Sequence, residues 1–257
     1  MLKKLHAIVL GLFDSGETSL VARVLSAEEG LISVMAKGAR ASKSRVGAVL
    51  QPLALLEIEV SHGGSGMATL RTASALHAHG EFAREPRRLA AGCVAAEAAS
   101  LFAAEGVRAV ELVASLAESL HALAQAPAAS LDAALADALR GAAAQAGVLP
   151  RIDAELLERR GAPKPALFWL DTRDGALHAR GPQPREAPEW PLAIAAGARE
   201  VPVPPSFLRA VYQHGGEPPP APPPVEARAA VEAWIRFLEA QAGAPLRSVP
   251  TWRALRG

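Results

Sequence analysis

The stretch LISVMAKGARASKSR, residues 31–45, places an apolar run directly before a cluster of positive charges. Residues 31–36 have the length and the apolar character of a short buried strand. Residues 37–45, called the basic segment below, carry four positive charges and no negative charge. This order predicts a β-strand that ends in a cationic loop.

Four further apolar runs of strand length lie with it in residues 1–80. They are Leu5–Leu12, Ser19–Leu25, Leu53–Val60 and Met67–Ala75. The turn signals between the runs are Asp14-Ser15-Gly16, Glu28-Glu29-Gly30 and Gly63-Gly64-Ser65-Gly66. Five short strands predict a small barrel domain over residues 1–80. The five-stranded OB-fold is the commonest solution of this kind, and an SH3-like barrel satisfies the same pattern.

Residues 81–150 predict an α-helical domain. They are rich in alanine, the best helix former, and their apolar residues recur at near-helical spacing. Glu85-Pro86 predicts the start of the first helix. Ala126-Pro127 followed by Ser130 predicts a break and a new N-cap.

The rest of the chain divides into an irregular segment and a last helix. Residues 151–224 contain two proline-rich stretches, and Ala166–Leu170 with Ala176–Arg180 predict a small hairpin. Residues 225–257 begin with an amphipathic helix, which is expected to pack on the helical domain. The predicted fold class is α+β: an OB-fold barrel, then an α-helical bundle with a small irregular hairpin insert.

The basic segment has the chemistry of a DNA contact. Each cation can pair with a phosphate, and each serine hydroxyl can donate a hydrogen bond to a phosphate oxygen. The candidate DNA-binding residues are Lys37, Arg40, Lys43, Arg45, Ser42 and Ser44. The small residues between the charges predict a mobile backbone. A solvated loop without a ligand has the same composition, so the charges alone leave both interpretations open.

Aromatic residues are scarce in the barrel region, where Phe13 is the only one before Phe82. Proteins that bind single strands by base stacking use several exposed rings, each contributing about 1–3 kcal/mol. We therefore expect electrostatic, sequence-tolerant and strongly salt-dependent binding. Phe13 itself is expected to pack in the core or in a loop.

Arg84, Arg87 and Arg88 form a second basic cluster at the head of the first helix, diluted by Glu81 and Glu85. A solvated helix face is the favoured interpretation. The alternative is that these arginines bind an acidic peptide of a partner protein.

Several kinds of chemical site are disfavoured. Cys93 is the only cysteine, which excludes an internal disulfide and a zinc site built from cysteine pairs, and it is expected to be buried and unreactive. His77 and His79 could share one strand face, but no third ligand lies nearby in sequence, so no metal is predicted there. The adjacent Glu28 and Glu29 predict a turn and not an acid–base pair.

Whole functional classes are restricted as well. The sequence has no glycine loop of the Walker or dinucleotide-binding type, so we expect a non-enzymatic protein without a cofactor. Its apolar runs are too short to cross a bilayer, and its N-terminus lacks a signal-peptide pattern. The expected location is the cytoplasm, in association with the nucleoid.

Four pieces of the N-terminal region together resemble the bacterial RecO family. They are residues 16–20 (GETSL), residues 28–40 (EEGLISVMAKGAR), residues 42–45 (SKSR) and residues 50–52 (LQP). The order and spacing of these pieces carry the resemblance. Residues 147–150 (GVLP) and residues 243–248 (GAPLRS) resemble later parts of the same family more loosely.

The resemblance implies an OB-fold, a helical domain and a role in RecFOR-dependent recombination and repair. Family members bind single- and double-stranded DNA, anneal complementary strands and pair with RecR. They also bind the acidic tail of single-strand-binding protein, SSB, and help to load the recombinase RecA. By position, the four cations of the basic segment become the DNA contacts, and the cluster Arg84, Arg87 and Arg88 is one candidate site for the SSB tail.

One feature departs from the family pattern. Many RecO proteins carry paired cysteines around a small zinc-bound hairpin, but residues 156–161 and 177–181 contain none here. His178 alone cannot hold zinc. This segment is therefore expected to depend on packing by Phe168, Trp169 and the hairpin, or to be partly mobile. An OB-fold protein of RNA metabolism and a protein–protein adaptor remain alternative functions.

Overall fold

The computed structural model describes residues 2–62, 67–152, 166–182, 198–212 and 222–255. The chain divides into two compact units, of which the first comprises residues 1–125 and 247–257 and the second comprises residues 126–246. The glycine-rich turn at residues 63–66, residues 156–161 and most of the two proline-rich stretches lie outside the described residues.

The regular elements alternate between strand-rich and helical stretches. The strands are β1 (Leu2–Ser15), β2 (Ser19–Ser26), β3 (Gly30–Ala36), β4 (Leu55–Ser61), β5 (Ala68–His77), β6 (Arg151–Ile152), β7 (Ala166–Asp171), β8 (Ala176–Pro182) and β9 (Glu200–Val203). The helices are α1 (Arg45–Val49), α2 (Gly80–Arg84), α3 (Pro86–Ser100), α4 (Val110–Gln125), α5 (Leu131–Gln145), α6 (Pro205–Tyr212), α7 (Pro224–Ala242) and α8 (Val249–Leu255).

Strands β1 to β5 form a closed barrel in the order β1-β2-β3-β5-β4. β4 pairs antiparallel with β1 and closes the barrel, whereas β3 pairs parallel with β5. This five-stranded Greek-key arrangement, with α1 between β3 and β4, is that of an OB-fold. The strands predicted from apolar runs and the α+β class are confirmed.

The barrel core follows the alternation seen in the sequence. Leu56, Ile58 and Val60 on β4 are at most 1 % exposed, while Glu57 and Glu59 point outward between them. Burial of a branched apolar side chain contributes about 1.5–3 kcal/mol relative to leaving it exposed. Facing residues of the other strands complete a single core cluster.

Helices cover one side of the barrel in the first unit. α3 and α4 contact β1, and α4 also contacts β2, where Ile8 and Leu25 are fully buried. Gly92 on α3 permits a close approach, because a Cβ at this position would lie 2.4 Å from Cδ1 of Leu53. The side of β2 and β3 that continues toward the basic segment retains exposed residues, among them Arg23 and Ser33.

The turn between β2 and β3 anchors the barrel to the segment before α4. The N–H of Gly106 donates to the carbonyl of Glu29 at 2.9 Å, and the N–H of Ala109 donates to the carbonyl of Ala27 at 2.9 Å. Gly30 adopts a φ of 65°. A Cβ at that position would lie 2.1 Å from the carbonyl oxygen of Ala104, so only glycine fits without a shift.

Residues 247–255 return to the first unit and pack on α3. Both backbone N–H groups of Arg247 and Ser248 donate to the Glu97 carboxylate at 2.8 Å, and the Ser248 hydroxyl donates to it at 2.6 Å. α8 follows directly and buries Trp252 completely. One carboxylate on α3 therefore fixes the start of this last helix.

The second unit combines a sheet of order β6-β8-β7-β9 with α5, α6 and α7. The predicted hairpin is confirmed as β7 and β8, and it buries Leu170 and Leu177. Phe168 and Trp169 are only half-buried, so aliphatic residues supply more of the core than expected. His178 is exposed on β8.

Aromatic packing joins the helices of the second unit. The Trp234 ring on α7 lies 4.5 Å from the Phe207 ring on α6, and both side chains are fully buried. α7 also packs along α5. The helices expected as one domain over residues 81–150 thus fall into both units, with α3 and α4 in the first and α5 in the second. None of the described helices combines the length and the apolar character needed to span a membrane.

Candidate nucleic-acid interface

The basic segment leaves the barrel directly after β3 and leads into α1. Its four cations are exposed: Lys37, Arg40, Lys43 and Arg45. Ser42 is also exposed, while Ser44 is partly buried. The structure thus brings all six predicted DNA-binding residues to one end of the barrel.

The basic segment is anchored to the barrel by a buried residue and by backbone hydrogen bonds. Ala39 is 5 % exposed and belongs to the barrel core. The N–H of Arg40 donates to the carbonyl of Thr18 at 2.9 Å, and the N–H of Ser44 donates to the carbonyl of Ala41 at 2.9 Å. Small residues here permit close packing against the barrel, so the cations project from a fixed frame.

Ser44 has a structural task in addition to its predicted contact with phosphate. Its hydroxyl oxygen accepts a hydrogen bond from the N–H of Gly47 at 3.1 Å and caps α1. Such a cap contributes about 1 kcal/mol to a helix. The hydroxyl proton stays available to donate, and the cap fixes where α1 begins.

Three of the four cations have no carboxylate partner within the described ranges. Lys37, Lys43 and Arg45 form no ion pair there, whereas Arg40 lies 3.4 Å from Asp14. Both side chains of that pair are exposed, and an exposed pair contributes only about 0–1 kcal/mol. A phosphate can therefore compete with Asp14 for the Arg40 guanidinium.

Phe13 is exposed, and the expectation that it packs in the core or a loop is wrong. Its side chain is 57 % exposed and lies over Gly11. Phe13 is paired with Val21, which is paired in turn with Met35. Residues directly opposite each other in a sheet share a face, so these three side chains form an outward apolar row beside the basic segment.

Arg23 is a further exposed cation that sequence reasoning missed. It lies on β2 two residues from Val21 and opposite Ser33, so it faces outward with that apolar row. No ion pair holds it among the residues that the structure describes. A single charge within an apolar strand is easily overlooked, but the alternation of β2 indicates that it points to solvent.

Asp14 and the exposed Glu17 lie beside the basic segment, whereas two other acidic residues of the barrel lie away from it. Glu28 and Glu29 lie in the turn at the opposite end of β3, which confirms the predicted turn. Glu28 accepts hydrogen bonds from His6, and Glu29 pairs with Lys3. These two carboxylates pair with Lys3 and His6 and not with the cations of the basic segment.

The second basic cluster is divided between exposed and internal positions. Arg88 is 9 % exposed, pairs with Glu85 at 2.8 Å and donates to the carbonyls of Leu123 and Ala124 at the end of α4. Arg84 is exposed and Arg87 is partly buried. Arg88 therefore joins α3 to α4, and Arg84 is the most accessible of the three.

Cys93 has the environment of an unreactive thiol. It is partly buried on α3, and burial, with a smaller contribution from Glu97, raises its pKa. The thiolate is the reactive form, so a raised pKa disfavours nucleophilic chemistry at neutral pH.

Comparison with protein families gives one match at the N-terminus. Residues 1–79 match the family model described as "Recombination protein O N terminal". The matched residues cover the barrel, the basic segment and α1.

Comparison with curated proteins extends over most of the chain. The chain is 33% identical over 241 residues to the "DNA repair protein RecO" of Anaeromyxobacter sp. (strain Fw109-5), covering 93% of this chain and 91% of that protein. It is 34% identical over 249 residues to the protein of the same name from Anaeromyxobacter sp. (strain K), with the same coverage. It is also 46% identical to the one from Salinibacter ruber over 68 residues, which are 26% of this chain and 25% of that protein.

Proposed function

Because the chain belongs to the RecO family of DNA repair proteins, we propose that its first unit binds single- and double-stranded DNA through the basic segment and anneals complementary strands. The observation that carries the proposal is the fixed, exposed set of cations beside an outward apolar row. In this proposal the protein is not an enzyme and acts in the cytoplasm, at the nucleoid.

Annealing by this surface needs no nucleotide. The cations of the basic segment reduce the repulsion between the phosphates of two strands, and base pairing supplies the driving force. An anchored backbone supports this role because it reduces the backbone conformational freedom that is lost when DNA binds. Phe13, at the head of the outward row, can stack on one unpaired base.

We also propose that the protein pairs with RecR and the acidic tail of SSB and helps to load RecA on SSB-coated DNA. Arg84, together with Arg87, is the candidate contact for the SSB tail, since arginine clusters bind acidic peptides. Arg88 is left out of this contact because its guanidinium is occupied between α3 and α4.

Annealing of complementary oligonucleotides tests the proposed function. We expect the full chain to accelerate annealing of naked strands without ATP, and of strands coated with SSB. The acceleration on naked strands should fall as salt rises, because phosphate screening is electrostatic. Stopped-flow fluorescence with a donor and a quencher on the two strands measures the rate. A rate equal to that of the strands alone at 50–200 mM salt would refute the proposal, and preferential binding of structured RNA in competition would favour an RNA function.

Replacement of Phe13 by alanine should separate single-strand from duplex binding. A base stacked on an aromatic ring contributes about 1–3 kcal/mol, so affinity for a single strand should fall roughly 5- to 150-fold. Duplex affinity should change little, because paired bases are already stacked. Fluorescence anisotropy with both DNAs at one salt concentration measures the difference. Val107→Ala, at a side chain that is also 57 % exposed, is the control, and an equal loss for both DNAs in Phe13→Ala would exclude stacking.

A further inference from the structure

Three histidines meet in the first unit, two from the end of the barrel and one from α4. His77 ends β5, His79 lies just before α2, and His121 lies on α4. One potential ligand atom from each side chain lies within 4.8 Å of the others. No third ligand lies near His77 and His79 in sequence, but α4 brings His121 to them in space.

The central histidine is the least accessible of the three. His79 is 9 % exposed, and its Nδ1 is buried without a hydrogen-bond partner in the described part of the chain. A buried nitrogen without a partner costs about 1–3 kcal/mol, so such an atom needs an explanation. His77 and His121 are exposed, so the cluster is accessible from solvent through these two side chains.

The three imidazole rings lie close together. The ring centroids of His77 and His79 are 4.2 Å apart, and those of His77 and His121 are 5.4 Å apart. Imidazole ligates metals in its neutral form, through a ring nitrogen that carries no proton.

We propose that His77, His79 and His121 bind one divalent transition-metal ion, Zn²⁺ in the first instance. Imidazole nitrogens suit zinc, nickel and copper, and zinc binds them at about 2.0–2.1 Å in a tetrahedral arrangement. Tetrahedral ligand atoms at that distance are about 3.3 Å apart. The observed limit of 4.8 Å means that the ligand atoms must approach one another by up to about 1.5 Å when the ion binds. Water takes the fourth position.

A metal at this site connects the end of the barrel to a helix. His77 belongs to β5 and His121 to α4, so the ion ties two elements that are 44 residues apart in the chain (121 minus 77). An ion that binds only the folded chain stabilises it according to its concentration relative to Kd. The site differs from a cysteine-based zinc hairpin in ligands and in place, since it lies in the first unit.

Zinc titration of the untagged full chain, after treatment with a chelator, tests the proposal. We expect one zinc ion per chain by calorimetry. The midpoint of thermal unfolding should rise by roughly 5–10 °C at a hundredfold excess over Kd. Co²⁺ in place of zinc should give the intense visible absorption of a four-coordinate ion. Weak bands typical of a six-coordinate ion, measured on the wild-type protein alone, would contradict the proposal.

The matched variants alter two exposed histidines each. The double variant His77→Gln/His121→Gln should lose zinc affinity by more than about 100-fold, since it removes two of three ligands. The control His6→Gln/His178→Gln changes exposed histidines elsewhere and should bind zinc as the wild type does. Both should match the wild-type melting curve in chelator. Equal zinc affinity in the two double variants, or no stoichiometric zinc in the wild type, would overturn the proposal.

Discussion

Lys37→Gln/Arg40→Gln/Lys43→Gln/Arg45→Gln is expected to lower the affinity for single-stranded DNA on the order of 10³-fold at 50 mM salt. Each cation that pairs with a phosphate of a single strand contributes about −0.7 to the slope of log K against log salt. Four contacts give a wild-type slope of about −3, which is a roughly fifty-fold loss of affinity between 50 and 200 mM. The variant should therefore have a slope shallower by about 3.

A control variant with the same change in net charge shows whether the position of the charges matters. Lys3→Gln/Lys4→Gln/Arg108→Gln/Arg247→Gln removes four exposed cations of the first unit that lie outside the basic segment. Its slope should stay near the wild-type value. Anisotropy titrations at several salt concentrations give both slopes, and equal losses in the two variants would assign binding to overall charge and not to the basic segment.

Gly47→Ala should both destabilise the first unit and displace the backbone of the basic segment. A Cβ on Gly47 would lie 1.8 Å from the carbonyl oxygen of Ala39 and 2.9 Å from its carbonyl carbon. These are backbone atoms of a buried residue, so they cannot rotate away as a flexible side chain would. We expect a loss of about 3 kcal/mol in unfolding free energy, the upper end for overpacking, and a thermal midpoint lower by roughly 6–12 °C.

The same variant should bind DNA more weakly even where it is folded, because Ala39 lies between Lys37 and Arg40. Circular dichroism gives the melting curve, and anisotropy at a temperature below the transition gives the affinity. Gly80→Ala is the control, since a Cβ there meets no atom within 4 Å and alanine favours the helix. A Gly47→Ala protein with unchanged stability would show that α1 does not pack on the basic segment as described.

The sequence is most informative about features that a local pattern of residues determines. Strand alternation at Leu56, Ile58 and Val60 predicted a half-buried strand, and the structure confirms it as β4. The turn at Glu28 and Glu29 was equally clear. Such features depend on neighbours in the chain, and the hydrophobic effect acts on them in nearly every context.

The remaining features depend on contacts between distant residues. Phe13 is an apolar residue of a type common in cores. It is exposed because it lies on a face of the barrel that none of the described helices covers. Arg88 resembles its neighbours in sequence, yet it lies where the last carbonyls of α4 need donors. His121 gives no sign in its own helix that it approaches His77. Periodicity shows which side of an element is buried, but not which element covers it.

The return of residues 247–255 to the first unit has a consequence for how the protein is made. During synthesis, α3 cannot form its contacts with Ser248 and α8 until the ribosome has added residues 126–246, which belong to the second unit. At about 5–20 residues per second, that interval is on the order of 10 s. During it the nascent barrel and its first helices lack their final packing partner, so the surface of α3 that α8 later covers stays accessible to chaperones.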